Sequence, residues 1–453
     1  MHQALTALHS PSLSAILTGM AISTIPKRLS SAILNSLAAG VVPRIGLEYI
    51  AVGRKREIEA ILGDLSALAQ GAAAFRIITG RYGSGKSFFL QAIRNYGMDQ
   101  KYLVMDVDLS PEKRFAGSKK QGLETYRGLL QRLSTTLRPE GGALEALLQG
   151  WVNEVKLAII KEGKQPDDPA LPALVEIRIY EIINAMENLA HGFDFAAAVS
   201  VYYKALLSGD DNRKRSAIQW LRGEYASRAE ARQALPVGEI ITDENWFDYI
   251  KLLAAFSAEI GYQGLILFID ECDVLYKLSN RQSRDHNYEK ILSMFNDVMQ
   301  GKVRHLGLYL AGTPQFIEDE RRGLWSYPAL KSRLMDNRFA RDGHPDYSSP
   351  ILRLEQLSWE EIYILLERLR DIHAGHYGYT PVLDQQDITA YMETSYSRAG
   401  AQEFLTPREI TRDFIGALNI LKDDPQESME SLLKSDSAGS APEEDNPYSD
   451  FEV

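Results

Sequence analysis

The residues best suited to chemistry form the octapeptide 80–87, which reads GRYGSGKS and is called here the glycine-rich loop. A strand-like run, 75–79, precedes it, and a helical pattern, 88–93, follows it. The glycines allow the backbone to curl so that its N–H groups point inward and form an anion site at a helix N-terminus. The spacing G-x4-G-K-S between a strand and a helix therefore predicts a phosphate-binding loop.

Within the glycine-rich loop, we expect Lys86 to reach the β- and γ-phosphates of ATP and the Ser87 hydroxyl to hold Mg²⁺. The alternative is a glycine-rich turn that matches by chance, which the flanking strand and helix argue against. The loop residues expected to contact the nucleotide are Gly80, Tyr82, Gly83, Ser84, Gly85, Lys86, Ser87 and Phe88.

A second motif, 265–271, is an apolar run that ends in Asp270 and Glu271. Hydrolysis of a phosphoanhydride needs a carboxylate that acts through the Mg²⁺ shell, which is the role expected of Asp270. It also needs a group that orients and polarises the attacking water, which is the role expected of Glu271. An acidic pair after a strand is alone compatible with a solvated loop, but its combination with the glycine-rich loop predicts ATP hydrolysis.

Four further residues are candidates for contact with the γ-phosphate. Thr313 follows a third apolar run, where a strand between the two motif strands would place a polar group; the alternative is a simple turn residue. Arg333, or Arg338 downstream, could offer a guanidinium to the site of a neighbouring subunit, because its planar fork matches phosphate oxygens. Arg408, in the first turn of a helix that opens with a capping box, could reach the phosphate in cis. Solvated arginines remain the alternative for all three.

Composition and charge limit the class of protein. The chain has 453 residues, of which 45% are hydrophobic and 25% charged, as in globular proteins. Its formal net charge is −11, but residues 423–453 carry ten acidic residues and one Lys, so the rest of the chain is near neutral. Overall acidity therefore does not argue against DNA as a partner, because a local basic face decides nucleic-acid binding.

The single cysteine, Cys272, excludes an intramolecular disulfide framework and favours a reducing cytoplasm. No apolar run reaches the roughly 18 residues of a membrane span, so we expect no membrane partner.

Strand-like runs alternate with helical patterns, which predicts an α/β fold with a parallel sheet. One stretch between strands is far longer than usual and almost wholly helical, so we interpret it as an insertion. The predicted domains are an N-terminal extension at 1–25, the first part of the core at 26–120, a helical insertion at 121–253, the second part of the core at 254–355, a helical lid at 356–422, and an acidic disordered tail at 423–453.

The predicted insertion carries a basic cluster, Arg213, Lys214, Arg215 and Arg222, which we expect to contact DNA. The acidic tail 423–453 is expected to be a solvated segment. The alternatives are that it competes with DNA for the basic cluster or docks a partner protein.

The order of these motifs resembles that of the AAA+ ATPases. The resemblance implies a P-loop NTPase core with a five-stranded parallel sheet and a helical lid, which binds ATP and Mg²⁺. In this comparison Val52 and Gly53 look like the adenine-side box, 80–87 resembles Walker A, 265–271 Walker B, Thr313 sensor 1, Arg333 the arginine-finger region and Arg408 sensor 2. The front of the chain is similar to the origin-recognition and Cdc6 clade.

A closer resemblance covers about residues 22–422 and is to the BrxD-like ATP-binding proteins of BREX-type phage-defence islands. The stretches 40–50, 108–112 and 327–334 carry it, together with the glycine-rich loop. It implies a bacterial, cytoplasmic ATPase that forms a homo-oligomer and is encoded beside a large DNA helicase. No glycine follows Arg333, so the choice between it and Arg338 stays open. No winged-helix domain fits after residue 422, so DNA contact cannot be inferred from the initiator clade.

We therefore expect an ATPase of a BREX-like defence system that acts on DNA or with a DNA helicase. The alternatives are a nucleotide-gated signalling or scaffold switch (STAND-like), or an ATPase that resembles replication initiators and helicase loaders. The intact Glu271 favours real hydrolysis over the switch.

Overall fold

The structure is a computed structural model that describes residues 25–186, 191–335, 337, 345–381, 383–397, 406–424 and 426–438. Arg338, residues 1–24 of the predicted N-terminal extension and residues 439–453 of the predicted tail lie outside these ranges. Among the helices that the structure describes, none is both long and apolar enough to cross a membrane.

The chain forms two compact units. Among the described residues, the first contains those within Arg54–Arg81 and Phe89–Glu355, and the second contains residues 25–53, the short stretch Tyr82–Phe88 and those from 356 to 438. Residues 26–53, which the sequence analysis assigns to the core, thus cluster with the C-terminal helices.

The first unit is built around a parallel sheet of five strands in the order β2-β3-β4-β1-β5. Its strands are apolar and buried on both faces, as parallel strands covered by helices must be. The α/β class and the five-stranded parallel sheet are confirmed. The strand bounds are β1 Ala73–Thr79, β2 Leu103–Asp108, β3 Leu265–Asp270, β4 Leu306–Gly312 and β5 Ile351–Arg353.

The register places the carboxyl ends of neighbouring strands side by side. Asp108 is paired with Asp270, and Thr79 with Gly312. Because β4 lies between β1 and β3, the segments that leave these three strands start from adjacent points on one edge of the sheet.

Helices flank the sheet, and the stretch between β2 and β3 is helical over most of its described length. Large aromatic side chains in that stretch, including Trp151, Trp220 and Trp246, are buried in a core that continues to the sheet. The described helices that precede β5 in the chain are α1 Lys27–Ala38, α2 Leu47–Ile50, α3 Lys55–Ala69, α4 Lys86–Asp99, α5 Gln121–Gln131, α6 Leu144–Lys161, α7 Leu171–Ala185, α8 Gly192–Ser208, α9 Asp211–Leu221, α10 Arg228–Ala234, α11 Trp246–Glu259, α12 Asp273–Tyr276, α13 Arg281–Met299, α14 Pro314–Glu318 and α15 Pro328–Leu334.

The second unit packs α1 and α2 with the C-terminal helices around a separate apolar core that contains Ile33, Leu366 and Phe414. Two of its helices begin with the capping boxes that the sequence shows, at Ser358 and Thr406, where side chains satisfy the first backbone N–H groups. The C-terminal helices are α16 Trp359–Tyr377, α17 Gln385–Ser397, α18 Pro407–Asp423 and α19 Met429–Ala438.

Helix α19 differs from the disorder that the sequence analysis predicts for 423–453. Met429 is buried in the core of the second unit, with Leu432 and Leu433 packed against the same core. These apolar contacts give the segment enough buried surface to offset the entropy of ordering it, although its composition is polar and acidic.

Candidate functional site

The glycine-rich loop leaves β1 after Thr79, and α4 begins at Lys86. Gly83 and Gly85 have φ values of +80° and +89°, a left-handed conformation that residues with a Cβ adopt at a cost. A Cβ on Gly85 would meet no atom within 4 Å, whereas a Cβ on Gly83 would lie 2.4 Å from Thr406 Cγ2. The loop therefore needs glycine at Gly83 for two reasons, its backbone conformation and its contact with the start of α18.

Arg408 contacts the glycine-rich loop through Tyr82. Its Nη1 donates a hydrogen bond to the Tyr82 hydroxyl at 3.2 Å, and its guanidinium lies 5.8 Å from the centroid of the Tyr82 ring. Tyr82 is 72% exposed, so this cation–π contact is at the surface. Two elements predicted from separate motifs, the loop and the first turn of α18, are thus brought together.

The predicted adenine-side residues Val52 and Gly53 lie in the same unit as residues 82–87 of the loop. Gly53 has φ +64°, and a Cβ there would lie 2.3 Å from Glu361 Oε1, at the start of α16. Arg368 Nη1, farther along α16, donates to the carbonyl oxygen of Ala51 at 2.6 Å. The segment 51–53 is therefore fixed against α16.

Asp270 and Glu271 end β3 in different environments. Asp270 is half-buried, and its Oδ1 accepts the backbone N–H of Glu271 at 2.8 Å. Glu271 is exposed and has φ +57°, a strained conformation for a residue with a Cβ that costs on the order of 1 kcal/mol. Such strain is found where the position of a side chain matters for function.

Thr313 makes a contact that the sequence analysis does not predict. Its backbone N–H donates to Asp273 Oδ2 at 3.0 Å, and its hydroxyl donates to Asp273 Oδ1. A hydroxyl has one proton, so Thr313 in this arrangement offers a ligand only its lone pairs. The signal that could have identified Asp273 is its position two residues after Glu271, in the sequence DECD.

Arg333 is exposed and held against the first unit's own helices. Its Nε donates to Asn296 Oδ1 at 3.0 Å, and its Nη1 donates to the carbonyl oxygen of Ala329 at 2.8 Å. These contacts lie within the first unit, and the role of Arg333 stays a prediction.

The basic cluster of the helical stretch is partly neutralised. Lys214 Nζ lies 3.3 Å from Glu145 Oε1 and 3.5 Å from Asp211 Oδ1. Arg213 and Arg215 are exposed, and Arg222 is half-buried. The cluster as a DNA-binding surface remains a prediction.

The residues present fit a magnesium nucleotide. The described chain contains no group of three or more His, Cys, Asp or Glu side chains that could enclose a metal ion. Mg²⁺ does not require such a group, because it keeps several waters and is bound by one or two protein oxygens together with phosphates. The Ser87 hydroxyl and the Asp270 carboxylate are oxygens of the kind that Mg²⁺ binds, and their role as its ligands stays a prediction.

Comparison with known families identifies the chain. The family described as "BREX system ATP-binding protein BrxC/D" matches residues 25–437. The chain belongs to this family. The match confirms the resemblance to the BrxD-like proteins and supports an ATP-binding protein of phage defence. A search of curated proteins gives no match.

The two glycines of the BREX protein's loop provide a matched test of this geometry. Gly83→Ala and Gly85→Ala both place a Cβ in the left-handed region, so Gly85→Ala should lower the free energy of unfolding by about 1 kcal/mol and Gly83→Ala, whose Cβ also meets Thr406, by more. Only Gly83→Ala also displaces Thr406, so only this variant should lose hydrogen-exchange protection in the first turn of α18. Equal protection in the two variants would show that the contact between Gly83 and Thr406 does not hold the loop.

Proposed function

We propose that this BREX family member is an AAA+ ATPase in which helices α16 to α18 form the lid. The supporting observation is the order of the strands. Only β4 separates β1, which leads into the glycine-rich loop, from β3, which ends at Asp270 and is followed by Glu271. Nucleotides bind outside the carboxyl ends of parallel strands, so a phosphate-binding loop and a hydrolytic carboxylate on the same edge serve one reaction.

In the proposed mechanism, the backbone N–H groups of the loop and Lys86 bind the phosphates. Bound Mg²⁺, held by Ser87 and by Asp270 through its water shell, would neutralise developing charge on the phosphate oxygens. Glu271 accepts a hydrogen bond from the attacking water and orients it toward the γ-phosphorus.

Thr313 accepts a second hydrogen bond from the water, because its own proton is directed to Asp273. Asp273 is thus a positioning residue. By accepting the hydroxyl proton, it leaves the lone pairs of the Thr313 oxygen free to accept a hydrogen bond.

Arg408 is proposed to contact the γ-phosphate from the lid in cis. Its contact with Tyr82 supports this role, because the side chain already lies at the glycine-rich loop. Binding of ATP would replace the surface contact to a neutral phenol hydroxyl by an ion pair with phosphate, whose oxygens match the guanidinium fork.

We further propose that the protein is a cytoplasmic homo-oligomer that acts on DNA or with a DNA helicase partner. Membership of a phage-defence family supports a role beside proteins that act on DNA. In the oligomer, Arg333 would complete the site of the neighbouring subunit, and Arg338 is the alternative.

The first test concerns hydrolysis. Lys86→Ala should abolish ATP binding, since it removes the cation that contacts the phosphates. Glu271→Gln should bind ATP normally but stop turnover, since an amide cannot polarise water. Nucleotide binding by calorimetry and phosphate release measure the two effects. Glu289→Gln, at an exposed glutamate on α13, is the control and should behave as wild type. Turnover by Glu271→Gln at the wild-type rate would contradict the assignment.

The second test concerns the shared site. Arg333→Ala should bind ATP but hydrolyse it about 10³-fold more slowly, the scale known for arginine fingers. Lys331→Ala, on the same helix, is the matched control and should retain activity. Mixing Arg333→Ala with Glu271→Gln should restore some hydrolysis, because mixed interfaces contain one intact arginine and one intact glutamate. A mixture without recovery would count against a shared site and favour Arg338.

A further inference from the structure

Three arginines of the first unit, named here the arginine cluster and consisting of Arg114, Arg284 and Arg322, contact the first turn of α13 or the turn before it. Arg284 Nη1 and Arg322 Nη2 both donate to the carbonyl oxygen of Leu278, at 2.9 Å and 3.1 Å. Arg114 Nη1 donates to Ser283 Oγ, next to Arg284, at 3.3 Å. The cluster is therefore a group of three guanidinium ions fixed by neutral acceptors.

The arginine cluster has no carboxylate partner in the part of the chain that the structure describes. Neither Arg114, Arg284 nor Arg322 forms an ion pair within that part, and the buried Nε atoms of Arg114 and Arg284 have no hydrogen-bond acceptor there. Arg284 is only 6% exposed. Buried arginines are almost always paired, because an isolated buried charge loses several kcal/mol of solvation.

Nearby carboxylates form no ion pair with the cluster among the described residues. Asp285 pairs with the exposed Arg281 at 3.4 Å. Asp319 accepts hydrogen bonds from the Tyr276 hydroxyl and from the backbone N–H groups of Arg321 and Arg322. The positive potential of the cluster is thus only partly offset by the acidic residues that the structure places around it.

The position of the cluster is suited to an anionic ligand. Its residues lie on segments that leave the carboxyl ends of β2, β3 and β4. Residues 109–120 contain four basic residues and one acidic residue, and residues 274–284 contain three basic and no acidic residues. These two segments are therefore net positive, whereas residues 313–327, which carry Arg322, contain three acidic and two basic residues.

The first of these segments is held rigidly. The side chain of the buried Asn287 accepts the backbone N–H groups of Phe115 and Ala116, at 3.0 Å and 3.1 Å. Trp246 Nε1 donates to the carbonyl oxygen of Phe115 at 3.1 Å. Arg114 is therefore pre-positioned, which lowers the entropy lost when it binds a ligand.

We propose that the arginine cluster binds the phosphate backbone of a nucleic acid. Arg114 and Arg322 make the contacts, and the buried Arg284 strengthens the local field, since a charge at low dielectric acts over a longer range. The exposed large apolar side chains that the structure describes lie outside 109–120, 271–285 and 313–327, so the apolar anchors of a protein interface are lacking there. Nucleic-acid interfaces are instead polar and strongly positive.

This inference rests on the proposed function, in which the protein acts on DNA, and it assigns the contact to a different surface. The basic cluster on α9 is weakened because Lys214 already pairs with Glu145 and Asp211. The arginine cluster carries no such pairing among the described residues.

The test measures binding of a labelled random-sequence DNA duplex by fluorescence anisotropy, between about 50 and 200 mM KCl. The double variant Arg114→Gln/Arg322→Gln should bind at least about tenfold more weakly at low salt, because it loses two charge-assisted contacts. The slope of log affinity against log salt should fall by about two. Arg284→Met should also weaken binding, with circular dichroism as the check that it folds.

The matched control is Arg213→Gln/Arg215→Gln, which removes the same charge from two exposed positions of α9 and should bind DNA nearly as wild type. Binding is measured without nucleotide and with a non-hydrolysable ATP analogue, so failure of the hydrolysis mechanism leaves the result interpretable. Equal losses in the two double variants, or wild-type affinity in the cluster variant, would overturn the proposal. So would stabilisation of the protein by inorganic phosphate without any DNA binding.

Discussion

The pairing of β4 with β1 on one side and with β3 on the other is the constraint on which the rest of the site depends. The register places Thr79 beside Gly312 and Ile269 beside Leu310, so these strands end nearly level. The side-chain period of a strand is two, and a slip of one residue would move every side chain to the opposite face of the sheet, against different helices. The apolar strands therefore determine where the glycine-rich loop, the acidic pair and Thr313 begin.

At the carboxyl ends of these strands, some polar groups hold the backbone in place and others are available for the reaction. Asp273 is occupied by Thr313, and Asp270 accepts the N–H of the next residue. Glu271, in contrast, is exposed and adopts a left-handed backbone conformation that stores strain. This arrangement leaves one carboxylate available to water while its neighbours fix the geometry around it. The arginine cluster, which forms no ion pair among the described residues, adds positive charge on segments that follow strands of the same sheet.

The features that can be predicted from the sequence are those that depend on residues close together in the chain. Apolar runs and motif spacing predict the parallel strands, the loop and the two capping boxes, because each depends on neighbouring residues. Contacts between distant segments were missed, such as that of Asp273 with Thr313 and the convergence of three arginines near Leu278. The helix α19 was missed because its few apolar residues gain stability only when a core formed by other helices covers them. The association of α1 with the C-terminal helices was missed for the same reason.

The most direct test of the central claim is a structure of the full chain bound to Mg²⁺ and a non-hydrolysable ATP analogue. The account predicts that Lys86 Nζ contacts the γ-phosphate, that Ser87 coordinates Mg²⁺, and that Glu271 binds a water in line with the γ-phosphorus. A nucleotide bound away from the carboxyl edge of the sheet would contradict the account. A nucleotide in the loop with Glu271 and its water directed away from the γ-phosphate would contradict the hydrolytic role.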